Sequence, residues 1–163
     1  MIILVSTDDR MLAAAARQQS ANALATYGAV VAITDDPLAK LGKGEDLFIC
    51  GWGSAAGPQG SPTIGNKLGA RIYDAVALWQ LLHGTRKIFP AGWTGRIFLW
   101  VSGSTDENPE MSFTFAEMFL TQVDAGISTQ GGVYARAERV DLHDAQLRDA
   151  VIPEPGSLKW THI

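Results

Sequence analysis

Two short stretches of this chain carry residue types that could do chemistry. The first is Gly51-Trp52-Gly53-Ser54, which follows an apolar run ending at Cys50, and the second is Ser102-Gly103-Ser104-Thr105, which follows the apolar run 97–101 with Asp106 and Glu107 close behind. A serine hydroxyl becomes a nucleophile only when a neighbouring base takes its proton. A hydrolase built on this chain would therefore use Ser102, with a base drawn from His143 or His83. His83 also has a purely structural role open to it. It stands at a predicted helix end beside Gly84, where the helix dipole favours a cation. Without a base, the same residues make a binding surface. Trp52 offers a large flat apolar face with a polar edge, and Gly53, Ser54, Ser102, Ser104 and Thr105 would line the surface beside it.

The remaining reactive types point away from metal or redox chemistry. Cys50 is the only cysteine and ends an apolar run, so neither an intramolecular disulfide nor a multi-cysteine metal site is expected, and the thiol is read as a buried core residue. Asp8, Asp9, Asp35 and Asp36 would share one sheet edge if the first two strands are parallel neighbours. Their positions just before predicted helices or turns make them caps. The glycines between Gly51 and Gly60 match neither a Walker loop nor a dinucleotide fingerprint. Their backbone amides leave open a flavodoxin-like small-molecule or nucleotide binder, but no cofactor is expected.

Positioning these loops requires strands that end at a common crest. Residues 2–6, 29–33, 47–50 and 97–101 are near-continuous apolar runs, as strands buried on both faces of a parallel sheet must be. Helical segments separate them. An Ala-rich helix is predicted over 11–27, opened by Thr7-Asp8-Asp9 and closed by Gly28. A second places Ile72, Ala75, Val76, Trp79 and Leu82 on one face, and a third follows a Ser112 cap and buries Phe115, Met118 and Phe119. Residues 133–140 alternate loosely and predict a fifth strand near an edge, and 143–150 a last short helix. Alternating strands and helices imply right-handed βαβ units. The expected fold is α/β: a three-layer sandwich with a mainly parallel sheet of five or six strands and helices on both faces. In such a sheet, ligands sit outside the carboxyl ends of the strands.

Length and composition fit one domain. The 163 residues are 47% hydrophobic and carry 13 Lys and Arg against 17 Asp and Glu, without a basic cluster. A single α/β domain spanning 1–163 is expected, with an irregular tail from about residue 151. Nucleic acid and anionic membrane surfaces are disfavoured as partners. The N-terminal apolar segment is too short for a signal peptide or a membrane span, so a cytoplasmic location is expected.

Gly51-Trp52-Gly53, Ile64-Gly65, the helix through Trp79 and Leu82, the run 97–103 and the helix over 113–120 together resemble clan CD cysteine peptidases, the class of caspases, gingipains and self-cleaving toxin protease domains. In that family a histidine lies between two glycines after the third strand and a cysteine follows the fourth, so the resemblance implies that Trp52 and Ser102 occupy the dyad positions, with Gly103 the alternative for the second. An indole N–H donates but cannot take a proton. The resemblance thus implies a degenerate, non-catalytic relative acting as a binding or protein-interaction module, its partner a protein or small molecule at the crest.

Overall fold

The computed structural model describes residues 1–54, 57, 60–68, 71–103, 105–108, 113–127, 131–136 and 152–163. Its strands are β1 (Ile2–Leu4), β2 (Val30–Ala32), β3 (Leu47–Ser54), β4 (Thr63–Gly65), β5 (Ile72–Asp74), β6 (Ile97–Val101), β7 (Val133–Arg136) and β8 (Trp160–His162). The helices are α1 (Arg10–Asn22), α2 (Leu24–Tyr27), α3 (Ala75–Trp79), which runs on as a π-helical turn (Gln80–Thr85), and α4 (Phe115–Gly126). The main sheet has the order β2-β1-β3-β6-β7-β8. Its first five strands are parallel, and β8 closes the far edge antiparallel to β7. The fold is α/β with a mostly parallel, mixed eight-stranded sheet.

Alternation along each strand explains how the sheet is covered. Ile3, Leu47, Ile49, Ile97, Leu99, Val133 and Ala135 enter one apolar cluster with Leu78, Trp79, Phe115 and Phe119 of α3 and α4. Their neighbours Ile2, Leu4, Phe48, Cys50, Phe98 and Trp100 enter another, with Leu12 and Ala16 of α1 and Tyr27 of α2. A strand lined by both clusters has no polar face, which is why β1, β3 and β6 read as unbroken apolar runs.

The four apolar runs are mutually parallel as expected, but not all are central. β2 lies at the edge and is only half-buried, because the crossover through α1 and α2 carries the chain to the outside of β1. Its outward side is modified by one residue: Ala32 N donates to Asp35 Oδ2 at 2.9 Å. β7 lies near the other edge as expected, second from it, but is mostly buried because β8 covers it. The tail expected to be irregular supplies that strand, anchored by buried Ile152 and Trp160. Gln19 fixes Ile152 by accepting from its N–H at 2.7 Å and donating to its carbonyl at 2.5 Å.

Three helix boundaries depart from expectation. The 11–27 helix breaks at Ala23 into α1 and α2, and Gly28, at φ 64°, ends the second. Asp74 accepts from Ala77 N at 2.7 Å and caps α3. Ile72 therefore belongs to β5, and both it and Val76 are exposed instead of sharing the buried face. Thr114 caps α4 through a reciprocal pairing with Glu117, and Phe115 and Phe119 are buried while Met118 is half-buried. The predicted cap Ser112, residues 137–140 of the predicted fifth strand and the predicted helix 143–150 lie outside the described residues. Among the described residues no helix is long and apolar enough to cross a membrane.

The amino-terminal ends of β1, β3 and β6 are fixed together by polar contacts. The Met1 ammonium pairs with Glu45 Oε1 at 2.9 Å and donates to Asp46 O at 2.7 Å. Asp46 in turn receives the Arg96 backbone N–H and guanidinium at 2.5–3.2 Å. Burial pushes the Glu45 carboxyl up, but the Gly42 N–H and the Met1 ammonium together hold it below its ordinary value. A carboxyl lowered on folding stabilises the fold above its unfolded value of about 4.3, and that contribution is lost as pH falls through the folded value. Glu45→Gln should therefore destabilise the protein at pH 7 more than at pH 3. Urea unfolding of both proteins at the two pH values measures the difference.

Cys50 is fully buried in the second cluster, and burial pushes its thiol far above the ordinary range. A reactive thiolate needs exposure and a positive neighbour. The folded protein should resist a thiol reagent such as dithionitrobenzoate and react stoichiometrically only in denaturant.

Candidate functional site

The site is built by a strand that outruns its sheet. Leu47 to Gly51 of β3 pair in parallel with Ile97 to Val101 of β6. From Trp52 onward, β3 pairs antiparallel with β4, which pairs with β5. Gly51 to Ser54 thus form strand, not a loop. The small antiparallel sheet β3–β4–β5 stands on the carboxyl end of the parallel one, the crest where ligands of such sheets bind.

Two small residues let the chain cross this point. A Cβ on Gly51 would meet Ile64 and Ser6 Oγ at 3.0–3.1 Å, and one on Gly53 would overlap the carbonyl oxygen of Ser102. Ser102 N reaches toward Gly51 O at 3.4 Å. The far end of β3 and the segment after β6 are therefore in direct backbone contact. Ser6 Oγ joins them to β1 by accepting from Trp52 N at 2.8 Å and donating to Gly65 O.

Between two glycines that face β6 and the hairpin, Trp52 points its side chain to the opposite face, toward the start of α1. Its Nε1 donates to Asp9 Oδ2 at 3.1 Å, while Asp9 Oδ1 caps α1 by accepting from Met11 N and Leu12 N at 2.9 Å. Lys67 Nζ lies over the indole, 5.0 Å from its centroid. Further bonds tie the β4–β5 connection to the β1–α1 loop, from Thr7 N to Asn66 Oδ1 at 2.8 Å and from Leu68 N to Asp8 Oδ2 at 3.2 Å. Together Asp8, Asp9, Arg10, Trp52, Lys67 and Leu68 enclose an open cleft of about 350 Å³.

On the other side of β3, Ser102 and Thr105 are half-buried and Ser54 is exposed. Gly103, at φ 71°, makes the turn after β6, and Asp106 N closes it on Gly103 O at 3.1 Å. Asn108 is buried and donates to Gly60 O, holding this loop against the hairpin. The roles of Asn108, Ser6, Lys67 and Asn66 depend on the hairpin, whose two strands of three residues each are too short to leave a periodic signal in the sequence.

Of the two predicted bases, His83 does not come to Ser102. His83 stacks on Trp79 at 4.8 Å and lines a separate cleft with Phe89, Trp93 and Ile127. Trp93 Nε1 donates to Glu45 O at 2.9 Å, just before β3 begins, so that cleft lies at the amino-terminal end of the strands. The length of β6, about 15 Å for five residues, separates it from Ser102. His162 packs edge-on against Tyr134, opposite it in β8. His143 and Ser104 lie outside the described residues. Among the described residues no group of three His, Cys, Asp or Glu could hold a metal ion.

Comparison of the sequence with protein-family models and with curated proteins finds no match.

Proposed function

We propose that this chain is a non-catalytic relative of caspase-like cysteine peptidases, a three-layer α/β/α domain that binds a partner at the crest of its sheet. The observation that carries this reading is where the Trp52 side chain goes: its neighbour Gly53 abuts the Ser102 carbonyl, but the indole at the first position that the resemblance assigns to the dyad turns to the opposite face and commits its N–H to Asp9, and the second position is a serine. Loss of a general base alone costs about 10²–10⁴ in rate. What remains is a cleft with an aromatic wall, which is suited to recognition.

A fluorophosphonate probe should leave Ser102 unlabelled, and peptide hydrolysis should be undetectable. Trp52→Ala should keep the fold at a cost of about 1–2 kcal/mol, below the ~3–5 of truncating a fully buried aromatic. Hydrolysis abolished by Ser102→Ala would overturn the reading in favour of a serine nucleophile.

Strand order favours a second reading. Counted among themselves, the parallel strands run 2-1-3-4-5, as in flavodoxin-like nucleotide binders with their site at the switch point between the first and third strands. At that point Asn66 already occupies the Thr7 amide, Asp9 occupies those of Met11 and Leu12, and two carboxylates face the entrance. A phosphate would find few free backbone N–H groups there and would meet those carboxylates beside Arg10 and Lys67. Neither FMN nor ATP should raise the melting temperature; a saturable rise would support this second reading.

A further inference from the structure

The cleft beside Trp52 is already occupied by a cation, and that cation belongs to the hairpin. Lys67 Nζ sits 5.0 Å above the indole centroid, within the range where an ammonium is attracted to the ring quadrupole. The indole edge is turned to Asp9 by its N–H bond, so the ring face is held in a fixed orientation. Asp9 Oδ2 accepts only this bond among the described residues, and Asp8 Oδ2 only that from Leu68 N, which leaves both carboxylates acceptor capacity at the cleft wall. The residue after Lys67 does not pack against the body: Leu68, which lines the cleft, is 85% exposed. An apolar side chain of this size exposed at a mixed-charge cleft is a feature of an interaction surface.

We propose that this cleft receives a lysine or arginine side chain of a partner polypeptide, and that Lys67 is its tethered stand-in, which an incoming side chain displaces from the Trp52 face. The proposal rests on the reading of the crest as a binding site and adds the chemistry of what it binds. The indole face takes the cation, Asp8 and Asp9 accept its N–H groups, and Leu68 meets an apolar neighbour on the partner. An internal cation that competes for the site lowers the apparent affinity by the fraction of time it is seated. Removing it should therefore strengthen binding of a basic ligand, whereas the loss of a mere surface lysine would leave that binding unchanged.

The test is a titration of ¹⁵N-labelled full chain with the peptide acetyl-Leu-Lys-Leu-Lys-amide, following the Trp52 indole N–H resonance, which is assigned by its absence in Trp52→Phe. The expected result is a saturable shift of that resonance, tightened about two- to fivefold by Lys67→Ala; in the Trp52 variants, which lack this reporter, binding is read from the backbone amides of Asp9 and Leu68, whose shifts Trp52→Ala should abolish. A folded Trp52→Ala is verified from the remaining amide spectrum, and Trp52→Phe, which keeps a ring face, should retain part of the binding. The matching Leu-Glu-Leu-Glu peptide should not shift the resonance. Three results would each overturn the proposal: no shift of Trp52 with the basic peptide even in Lys67→Ala, weaker binding in Lys67→Ala, or preference for the acidic peptide. None of them touches the non-catalytic reading, which stands or falls on serine labelling and hydrolysis.

Discussion

Phe98→Ala is expected to lower the free energy of unfolding by about 3–5 kcal/mol, the range for truncating a fully buried aromatic. Phe98, the second residue of β6, is inaccessible to solvent. It stacks on Phe48 at 4.9 Å and Tyr134 at 5.0 Å, lies 4.9 Å from Trp160, and carries the Arg96 guanidinium at 5.3 Å. One ring thus joins β3, β6, β7 and β8, and on deletion the four strands cannot all close on the void. Phe98→Leu, which keeps most of the volume, should cost less than half as much. Urea midpoints at constant slope measure both. A Phe98→Ala protein within 1 kcal/mol of the parent would show that the aromatic ladder does not hold the β8 edge in place.

Gly53→Ala is expected to be the most damaging single-atom addition at the crest. The new methyl would overlap Ser102 O and press on Val101 Cγ1 at 3.0 Å. Neither is a flexible side-chain end, so β3 and β6 must part. Overpacking of this kind costs about 1–3 kcal/mol, and because the displaced atoms belong to the crest, the Trp52 indole N–H resonance should move as well. Gly84→Ala is the control. A Cβ there meets nothing within 4 Å, so the change should be neutral or stabilise by up to about 1 kcal/mol through the unfolded chain. If Gly53→Ala were as benign as Gly84→Ala, the contact between Gly53 and Ser102 would not be tight.

The parallel core was legible because burial on both faces leaves an unmistakable trace: residues 2–6, 47–50 and 97–101 contain almost no polar side chain, and each became a strand in the expected direction. The hairpin was not legible. β4 and β5 have only three residues each, one of them Gly65, and they sit in a stretch whose glycines, prolines and serines signal loop. Their pairing is set by the overrun of β3, a long-range event. Misplacing the start of α3 had a local cause. Ile72 and Val76 fit a helical face by spacing, but Asp74 takes the Ala77 N–H and makes residue 74 the boundary. At the site, the role of Trp52 as a flat wall could be read from its type. That Lys67, fifteen positions on, lies over it could not.

The Asp35 carboxylate at the edge strand has a consequence for how these molecules behave together. In β2, Ile33 N donates inward to Leu4 O, so the N–H of the preceding Ala32 faces away from the sheet. A neighbouring molecule seeking to extend the sheet would dock on such outward amides. Asp35 already holds this one and sets a negative charge beside the three-residue strand. A second copy approaching in either direction brings its own Asp35 or finds the donor taken. Concentrated solutions of the protein should consequently resist edge-to-edge polymerisation, and that resistance resides in a side chain that does not line the Trp52 cleft, so the two properties can vary independently.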